Sequence, residues 1–509
     1  MVENIKKMEY NENEVYVLNP DYAMRNDSRR IVLFSGNKTN PLSIPQWESF
    51  LHPLHARIFS FFTFNRPLHR TVSLLGQYLK RDEQAIRKIV YPFIENPLSV
   101  FTKYRDEKVW IPRNVIVNRN QVVGGISFLN LNPDIFSCRN IDLTTPRHYT
   151  APSMLTFMLN NACVSDCIYC YADTKTKVRQ ALTTIRILEL IEEARTLPVR
   201  LINLMGGEVL LHRDWSVILK KLVDSHLSPE YISTKYPLTG VVIDTIQMTG
   251  FTNPVQVSLD VNSSDLLKKT ISVQTNYLPK VLQGIKLLDE SGLKYRINSV
   301  LTVYNTKKEV IEKLYGFISS LKNISDWRIT PAVNSNWIEY EQFRKIKPDK
   351  EEIESLYQFI EREIKPYSKI PVFLNRPAIS REFRYCRTGS KDFKGIKCSA
   401  LSNHLFILPD GKATVCEQLY WLPQFIIGDV STNSISEVWN SPAAEKLLHL
   451  QATDIRDGSP CKDCKLFEAC FNARNRCWVD IVKAYGKENW DYPDPRCAFA
   501  PEMINPLGF

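Results

Sequence analysis

The sequence predicts an α/β fold: a partial (β/α)6 barrel with a small winged-helix domain before it and a cysteine-rich domain after it. Three observations support this prediction. The chain has 509 residues, which is too long for one hydrophobic core and suits about three domains. Beyond about residue 150, short apolar runs alternate with amphipathic stretches, as in parallel strands joined by crossover helices. Eight of the 12 cysteines lie in the C-terminal quarter.

The predicted boundaries follow these changes of pattern. The domains are 1–115, a winged helix; 116–149, a linker; 150–335, the barrel; 336–385, a helical bridge; and 386–509, the cysteine-rich domain.

Composition excludes several classes of protein. Hydrophobic residues at 44% and charged residues at 24% are ordinary globular values, which argues against a disordered or fibrous chain. No apolar run is long enough to span a membrane, and the start "MVENIKKMEY" lacks the apolar segment of a secretory signal, so we expect a cytoplasmic protein. The net charge of +10 is spread along the chain, which makes nucleic acid an unlikely partner.

The N-terminal region is predicted to contain strands and three helices. "EVYVLN" and "RRIVLF" are expected to pair across a turn at "MRNDS". Helices are expected at "LHARIFSFF", "RTVSLLGQYL" and "DEQAIRKIVYPFIE", where Pro92 ends or kinks the last one, and a strand at "KVWIP" completes the domain.

The barrel is predicted from six strand and helix units, too few for a closed eight-fold barrel. The strands are "SMLTFML", "RLINLM", "YISTK", "VQVSLD", "YRINSVLTV" and "WRITPA". Helical stretches between them include "TTIRILELIEEA", "WSVILKKLVDS", "YLPKVLQGIKLLDE" and "KEVIEKLYGFISSL", and "DKEEIESLYQFIEREI" forms the bridge.

Three cysteines stand close together in "NNACVSDCIYCYAD", with the spacing C-x3-C-x2-C at Cys163, Cys167 and Cys170. A tetrahedral zinc site takes four ligands, and no histidine lies at finger spacing from this triplet. A four-iron cluster also usually takes four cysteines, so three leave one iron with an open position. The pattern therefore predicts a cluster to which a small molecule binds.

This triplet, with Tyr169 just before its third cysteine, resembles the signature of radical S-adenosylmethionine (radical SAM) enzymes. The resemblance implies a [4Fe-4S] cluster whose open iron is chelated by S-adenosylmethionine beside Tyr169. It also implies reductive cleavage of that cofactor to a 5'-deoxyadenosyl radical, with a flavodoxin or ferredoxin as the low-potential electron donor.

Polar residues at the carboxyl ends of the predicted strands extend the resemblance. Gly206, Gly207 and Glu208 are similar to the family's GGE motif, in which glycines allow close backbone approach and a carboxylate meets the methionine ammonium. The other candidate cofactor contacts are Ser233 and Thr234 for the carboxylate, Ser258 and Asp260 for the ribose, and Asn298. A helix cap or loop position is the alternative for these residues.

The C-terminal cysteines resemble the SPASM domain, which carries auxiliary iron-sulfur clusters and would bring the total to three [4Fe-4S] clusters. The resemblance implies one quartet of Cys386, Cys398, Cys416 and Cys477, and a second of Cys461, Cys464, Cys470 and Cys497. Cys470 and Cys477 are separated by six residues where the family has three, which puts Cys477 in doubt. Two zinc sites are the alternative.

Glu417 follows Cys416 directly, where related sulfatase-maturing enzymes carry an aspartate thought to act as a base. Glu417 is therefore the candidate catalytic base, with an exposed or salt-bridged glutamate as the alternative.

The N-terminal domain resembles the PqqD-like element that binds leader sequences in maturases of ribosomally made peptides. Together these resemblances imply a peptide maturase that binds a precursor peptide and installs a thioether or carbon-carbon cross-link. A sulfatase-maturase-like protein dehydrogenase and an iron-sulfur regulator that binds DNA are the alternatives. The sequence does not decide between the two bond types.

Overall fold

The computed structural model of the chain describes residues 10–36, 42–122, 128–376, 398–472 and 476–507. They divide into an N-terminal unit, which runs to Ser153 and includes Glu192–Leu201, and a C-terminal unit of Met154–Ile191 and the residues from Ile202 onward. Each unit is described by itself below.

The N-terminal unit contains short antiparallel sheets and three helices. Its strands are β1 (Tyr16–Leu18), β2 (Tyr22–Asn26), β3 (Ile31–Ser35), β4 (Glu48–Leu51), β5 (Val100–Tyr104), β6 (Glu107–Ile111) and β7 (Ile116–Asn118). Its helices are α1 (Pro53–Ser60), α2 (Leu68–Leu79) and α3 (Glu83–Val90). The sheets are β2-β3-β4, β5-β6 and β1-β7. The three predicted helices are present and α3 ends just before Pro92, whereas the assignment to the winged-helix class stays a prediction.

The predicted pairing of the first two strands is wrong. "MRN" lies inside β2, which pairs with β3, while β1 pairs with β7 at the other end of the unit. The turn between β2 and β3 is closed by the backbone N–H of Asp27, which donates to the Arg30 carbonyl, and by an ion pair of 3.0 Å between their fully buried side chains. The sequence placed the turn where polar residues are dense, but a half-buried strand carries polar residues on its outer face.

The segment 116–149, predicted as a linker, belongs to the N-terminal unit where it is described. Ile116 and Phe136 are almost completely buried in the core of that unit. The Arg30 guanidinium donates to the backbone carbonyls of Thr145 and Arg147. Because its side chains and carbonyls are used in this way, the segment is part of the unit's core.

The C-terminal unit contains all six predicted barrel strands and four more. The strands are β8 (Met154–Met158), β9 (Leu201–Met205), β10 (Ile232–Thr234), β11 (Val255–Ser258), β12 (Tyr295–Leu301), β13 (Ile324–Pro331), β14 (Val372–Leu374), β15 (His404–Ile407), β16 (Lys412–Thr414) and β17 (Ile426–Asp429). They form the sheets β10-β11-β12-β13-β14, which is parallel, and β17-β16-β15-β8-β9, in which β15 runs parallel to β8.

Helices separate these strands and continue through the C-terminal region. They are α4 (Thr184–Thr196), α5 (Trp215–Asp224), α6 (Gly240–Met248), α7 (Ser264–Ile271), α8 (Tyr277–Glu290), α9 (Lys308–Ile318), α10 (Tyr340–Ile346), α11 (Lys350–Phe359), α12 (Ile435–Trp439), α13 (Pro442–Leu448), α14 (Phe467–Asn472) and α15 (Trp478–Tyr485). A π-helical turn, Ile360–Ile364, extends α11 and completes the predicted bridge. No helix in these ranges combines the length and the apolar character needed to cross a bilayer.

The two faces of the β11-β12-β13 sheet differ in polarity. Val257, Ile297 and Trp327 are at most 1% exposed, and the Trp327 ring stacks on Tyr315 of α9. The helices therefore cover this apolar face, as in β/α barrels. The opposite face is polar and forms the inner face of the partial barrel.

Candidate active site and cluster-binding centres

The loop with the cysteine triplet follows β8 directly and is fixed by backbone hydrogen bonds. The N–H groups of Asp166 and Ile168 donate to the carbonyls of Ile271 and Thr270 at the end of α7, both at 3.0 Å. The loop is therefore positioned by the barrel, at the carboxyl end of the first barrel strand.

The three thiols of this loop lie close together. The Ser165 hydroxyl oxygen lies 3.7 Å from the sulfur of Cys163 and 3.4 Å from that of Cys167. Burial, and next the nearby Cys167 thiol, raise the pKa of Cys170 to about 11. A metal cluster reverses this preference because coordination deprotonates a thiol. The donor set thus fits an iron-sulfur cluster better than three free cysteines.

The glycines of the GGE motif let the end of β9 approach the cysteine loop. Gly207 and Glu208 donate backbone hydrogen bonds to the carbonyls of Asn160 and Ala162, at 2.9 and 2.7 Å. A Cβ atom on Gly207 would lie 2.2 Å from the Ala162 carbonyl oxygen, and one on Gly206 would lie 2.7 Å from that of Asn160. Only glycine fits at either position.

We expect Gly207→Ala to displace the cysteine loop. The added methyl group meets backbone that cannot move aside, so the free energy of unfolding should fall by at least about 2 kcal/mol and iron should be lost. Thermal unfolding and iron analysis measure both effects.

The matched control is Gly316→Ala in α9, where nothing lies within 4 Å of the added Cβ. This substitution should stabilise the helix by about 0.5–1 kcal/mol. Equal behaviour of the two variants would contradict the steric role of Gly207.

The Glu208 carboxylate is 2% exposed and fully used by hydrogen bonds. It accepts from the Thr234 hydroxyl at 2.9 Å, from the Lys235 N–H at 2.8 Å and from the Leu210 N–H at 3.2 Å. Burial raises the pKa of Glu208, and these hydrogen bonds oppose the rise. Glu208 therefore joins the ends of β9 and β10, and its contact with a methionine ammonium stays a prediction.

Thr234 is oriented differently from its predicted role. Its hydroxyl donates to Glu208, whereas the Ser233 hydroxyl accepts from the Gln256 amide at 3.2 Å on the other face of β10. Successive side chains of a strand point to opposite faces, so the two residues cannot both reach one cofactor carboxylate. Only Ser233 lies on the inner face.

Tyr169, Asp260 and Lys235 form a buried cluster beside the cysteine loop. The Tyr169 hydroxyl donates to Asp260, and the Lys235 ammonium lies 3.1 Å from the Tyr169 hydroxyl and 3.5 Å from the Asp260 carboxylate. Burial opposes the charge of Lys235, but Asp260 and the nearby Cys167 thiol more than offset it and raise its pKa. The sequence analysis missed Lys235, although its place just after β10 was a usable signal.

We expect Lys235→Met to weaken cofactor binding about 10- to 100-fold, since a buried ammonium beside Cys167 is lost where a negatively charged cluster would lie. Equilibrium binding of S-adenosylmethionine to anaerobic, iron-loaded protein measures this. Lys220→Met, on the exposed face of α5, is the control and should bind like the parent protein.

The remaining cofactor candidates lie on the inner face. Ser258 on β11 pairs in register with Asn298 on β12, at the polar side of the sheet. The structure thus brings Ser233, Ser258 and Asn298 onto one surface, and their contacts with the cofactor stay predictions.

Four C-terminal cysteines line one pocket. They are the members of the second predicted quartet, Cys461, Cys464, Cys470 and Cys497. The Arg476 guanidinium donates to the sulfur of Cys461 at 3.0 Å. A positive charge in this place stabilises a thiolate-ligated cluster, whose net charge is negative.

Three members of the other predicted quartet also lie together. Burial raises the pKa of Cys416 and of Cys477 to about 12, and the Cys398 thiol contributes to both shifts. The longer spacing before Cys477 therefore does not remove it from Cys398. The fourth member, Cys386, lies outside the described residues.

The spacing of these side chains distinguishes clusters from single ions. Within the described ranges, no three His, Cys, Asp or Glu side chains are close enough to hold one metal ion. A four-iron cluster needs thiolates farther apart, because each binds a different iron. The described cysteines therefore favour clusters over the zinc alternative.

Glu417 projects toward aromatic residues of the barrel. Burial, followed by the Glu417 charge, raises the pKa of Tyr171, and Glu417 also contributes to the raised pKa of Tyr231 after burial. In the part of the chain that the structure describes, no hydrogen bond or ion pair reaches the Glu417 carboxylate. This carboxylate is free to act on a bound molecule.

Comparisons with known proteins agree with this geometry. Residues 158–318 match the Radical SAM superfamily, and residues 398–465 match SPASM, an iron-sulfur cluster-binding domain. The chain is 21% identical over 362 residues to the PqqA peptide cyclase of Granulibacter bethesdensis, covering 69% of this chain and 88% of that protein. It is 26% identical over 244 residues to a probable GTP 3',8-cyclase of Sulfurisphaera tokodaii, covering 42% and 73%.

A similar fold is known from solved structures. SuiB of Streptococcus suis, bound to S-adenosylmethionine or to the precursor peptide SuiA, matches with a TM-score of 0.59 and 15% identity. The match covers 95% of this chain and 99% or 100% of that one. The predicted α/β fold is confirmed.

Proposed function

We propose that this chain, which carries a radical SAM domain followed by an iron-sulfur SPASM domain, installs an intramolecular cross-link in a ribosomally made precursor peptide. The observation that carries the proposal is the three-thiol loop at the mouth of a barrel with a polar inner face, combined with two further groups of cysteines. The similarity to a peptide cyclase over 69% of the chain supports a peptide as the substrate.

The described residues have distinct tasks in this proposal. Cys163, Cys167 and Cys170 hold the cluster that binds S-adenosylmethionine, and Lys235 offsets its negative charge. When bound, this cofactor supplies a 5'-deoxyadenosyl radical that abstracts hydrogen from the peptide, and the auxiliary clusters supply an electron acceptor. The thiols must stay reduced to bind iron, so we place the enzyme in a reducing compartment, the cytoplasm, with a flavodoxin or ferredoxin as donor.

The test uses the full-length, iron-loaded protein with S-adenosylmethionine, a reductant and the precursor peptide encoded beside the enzyme. We expect 5'-deoxyadenosine and a peptide that has lost two hydrogen atoms. In tandem mass spectrometry, a cross-link suppresses fragmentation between the joined residues. An unmodified peptide despite full iron loading would count against the proposal, and turnover of GTP instead of the peptide would favour a nucleotide cyclase.

The alternatives predict different products. A sulfatase-maturase-like dehydrogenase also removes two hydrogen atoms but leaves fragmentation intact, because it oxidises one residue. A DNA-binding regulator yields no 5'-deoxyadenosine.

The N-terminal unit is proposed to bind the leader part of the precursor. Because β7 pairs with β1, removal of residues 1–115 would cut through this unit, so a deletion is a poor test. Supplying the leader as a separate peptide is cleaner: it should restore modification of a leaderless core peptide by the intact enzyme. No effect of the added leader at saturating concentration would refute this role.

Glu417 is proposed to accept a proton from the peptide as the cross-link closes. We expect Glu417→Gln to lower the yield of cross-link per 5'-deoxyadenosine about 100-fold, the usual range for loss of a positioned base. Glu445→Gln, on exposed α13, is the control. Equal yields from the two variants would exclude Glu417 as the base.

A further inference from the structure

The inner face of the barrel carries two rows of polar side chains across neighbouring strands. The first row is Ser233, Gln256 and Arg296, and the second, nearer the cysteine loop, is Ser258, Asn298 and Arg328. Residues two apart on a strand are about 7 Å apart. The two arginines belong to adjacent strands and adjacent rows, so their guanidinium groups serve one region of the inner face.

Arg296 is buried with much of its hydrogen-bonding capacity unused. Its residue is 8% exposed, and its Nε donates to the Gln256 amide oxygen at 3.0 Å. The guanidinium carbon lies 4.5 Å from the centroid of the Tyr231 ring. Over the described ranges, its two Nη atoms have neither a hydrogen-bond partner nor an ion-pair partner. A buried cation without a partner is costly, which marks this group as poised for an anion.

Arg328 has one carboxylate partner and free donors beside it. Its Nε lies 2.7 Å from the Asp326 carboxylate, its side chain is 39% exposed, and its guanidinium carbon lies 5.6 Å from the centroid of the Phe373 ring. Burial, and then the charge of Arg328, lower the pKa of Arg296, which shows that the two guanidinium groups repel each other. An anion bound between them removes this repulsion.

We infer that Arg296 and Arg328 bind a carboxylate of the precursor peptide and thereby make the enzyme selective for an acidic group at the modified site. This inference rests on the proposed function. A guanidinium donates two parallel hydrogen bonds to a planar carboxylate, and Tyr231 and Phe373 shield the pair from water. With the carboxylate between the rows, the carbon atoms next to it lie beside Ser258 and Asn298, where the cofactor ribose is predicted.

The test is a double-mutant cycle between the enzyme and the peptide. The enzymes are the parent protein and Arg328→Gln, both iron-loaded and full length. The peptides are the precursor, the same peptide with the acidic side chains of its core replaced by amides, and a third with an amidated C-terminus. Peptide affinity is measured at equilibrium and KM by product formation. Damage to the enzyme that is unrelated to the carboxylate cancels in such a cycle.

With the parent protein, we expect one of the two peptide changes to weaken affinity about 10- to 100-fold, the usual loss for a hydrogen bond to a charged group. The same change should cost less than about twofold in Arg328→Gln. Loss with the side-chain amides identifies an acidic residue, and loss with the amidated terminus identifies the end of the peptide. Arg296→Gln should repeat the result. Arg344→Gln, an exposed arginine on α10, is the control and should keep the full sensitivity.

Equal losses in the parent protein and in Arg328→Gln would overturn the inference, as would GTP binding that depends on Arg328 while the peptide does not. Failure of the proposed function looks different, because the peptide is then unmodified by the parent protein. The affinity measurements need no turnover and decide the role of the arginines in that case also.

Discussion

Cys167→Ala should abolish the formation of 5'-deoxyadenosine and every modification of the peptide. Two thiols cannot hold a cubane that leaves its fourth iron for the cofactor, so iron should fall by about four atoms per chain. Iron analysis, the electron paramagnetic resonance of the reduced protein and product analysis measure the loss. This substitution should have the largest effect, because the other residues of the proposed site act on a cofactor that this cluster binds.

The control for this substitution is Cys138→Ser. Cys138 belongs to the N-terminal unit, where it is half buried and packs against the core. Burial raises its pKa to about 11, so it has the properties of a small apolar residue. The variant should keep its iron and its activity. Retention of a SAM-responsive cluster by Cys167→Ala would refute the assignment of the triplet.

Cys464→Ser should uncouple cofactor cleavage from cross-link formation. Cys464 belongs to the quartet in the C-terminal pocket, so the loss of this cluster removes about four iron atoms and an acceptor for the electron released as the cross-link closes. We expect the ratio of cross-linked peptide to 5'-deoxyadenosine to fall at least about tenfold. Mass spectrometry and chromatography of the same reaction give this ratio.

Lys465→Ala is the control for Cys464→Ser, since the adjacent Lys465 is exposed. It should keep both the iron and the ratio. An unchanged ratio in Cys464→Ser, with the iron lost, would show that this cluster has no part in cross-link formation and serves only the fold.

The barrel could be predicted from the sequence because its signals are local. Each predicted strand is a short apolar run, and α8 was predicted with the bounds that the structure shows, Tyr277–Glu290. The grouping of the C-terminal cysteines came from the family resemblance, since spacing alone allows several pairings. The structure places together the seven members of the two quartets that it describes.

The features that were missed depend on distant contacts. The pairing of β1 with β7 joins segments about 100 residues apart, and no local pattern distinguishes it from pairing with the next strand. The linker assignment failed because residues such as Phe136 are buried by a core formed much earlier in the chain. Lys235 was overlooked because a lysine after a strand is usually solvent-exposed, and only the fold places it beside Cys167.

The parallel pairing of β15 with β8 also has a consequence for how the protein is made. β8 is completed early in translation, yet its neighbour His404–Ile407 leaves the ribosome about 250 residues later, and the Thr156–His404 hydrogen bond closes this gap. At the usual rates of synthesis, that edge stays without a partner for more than about ten seconds. An unpaired apolar edge is the place where nascent chains associate wrongly. Slower expression at low temperature and the presence of chaperones should therefore improve the yield of native enzyme.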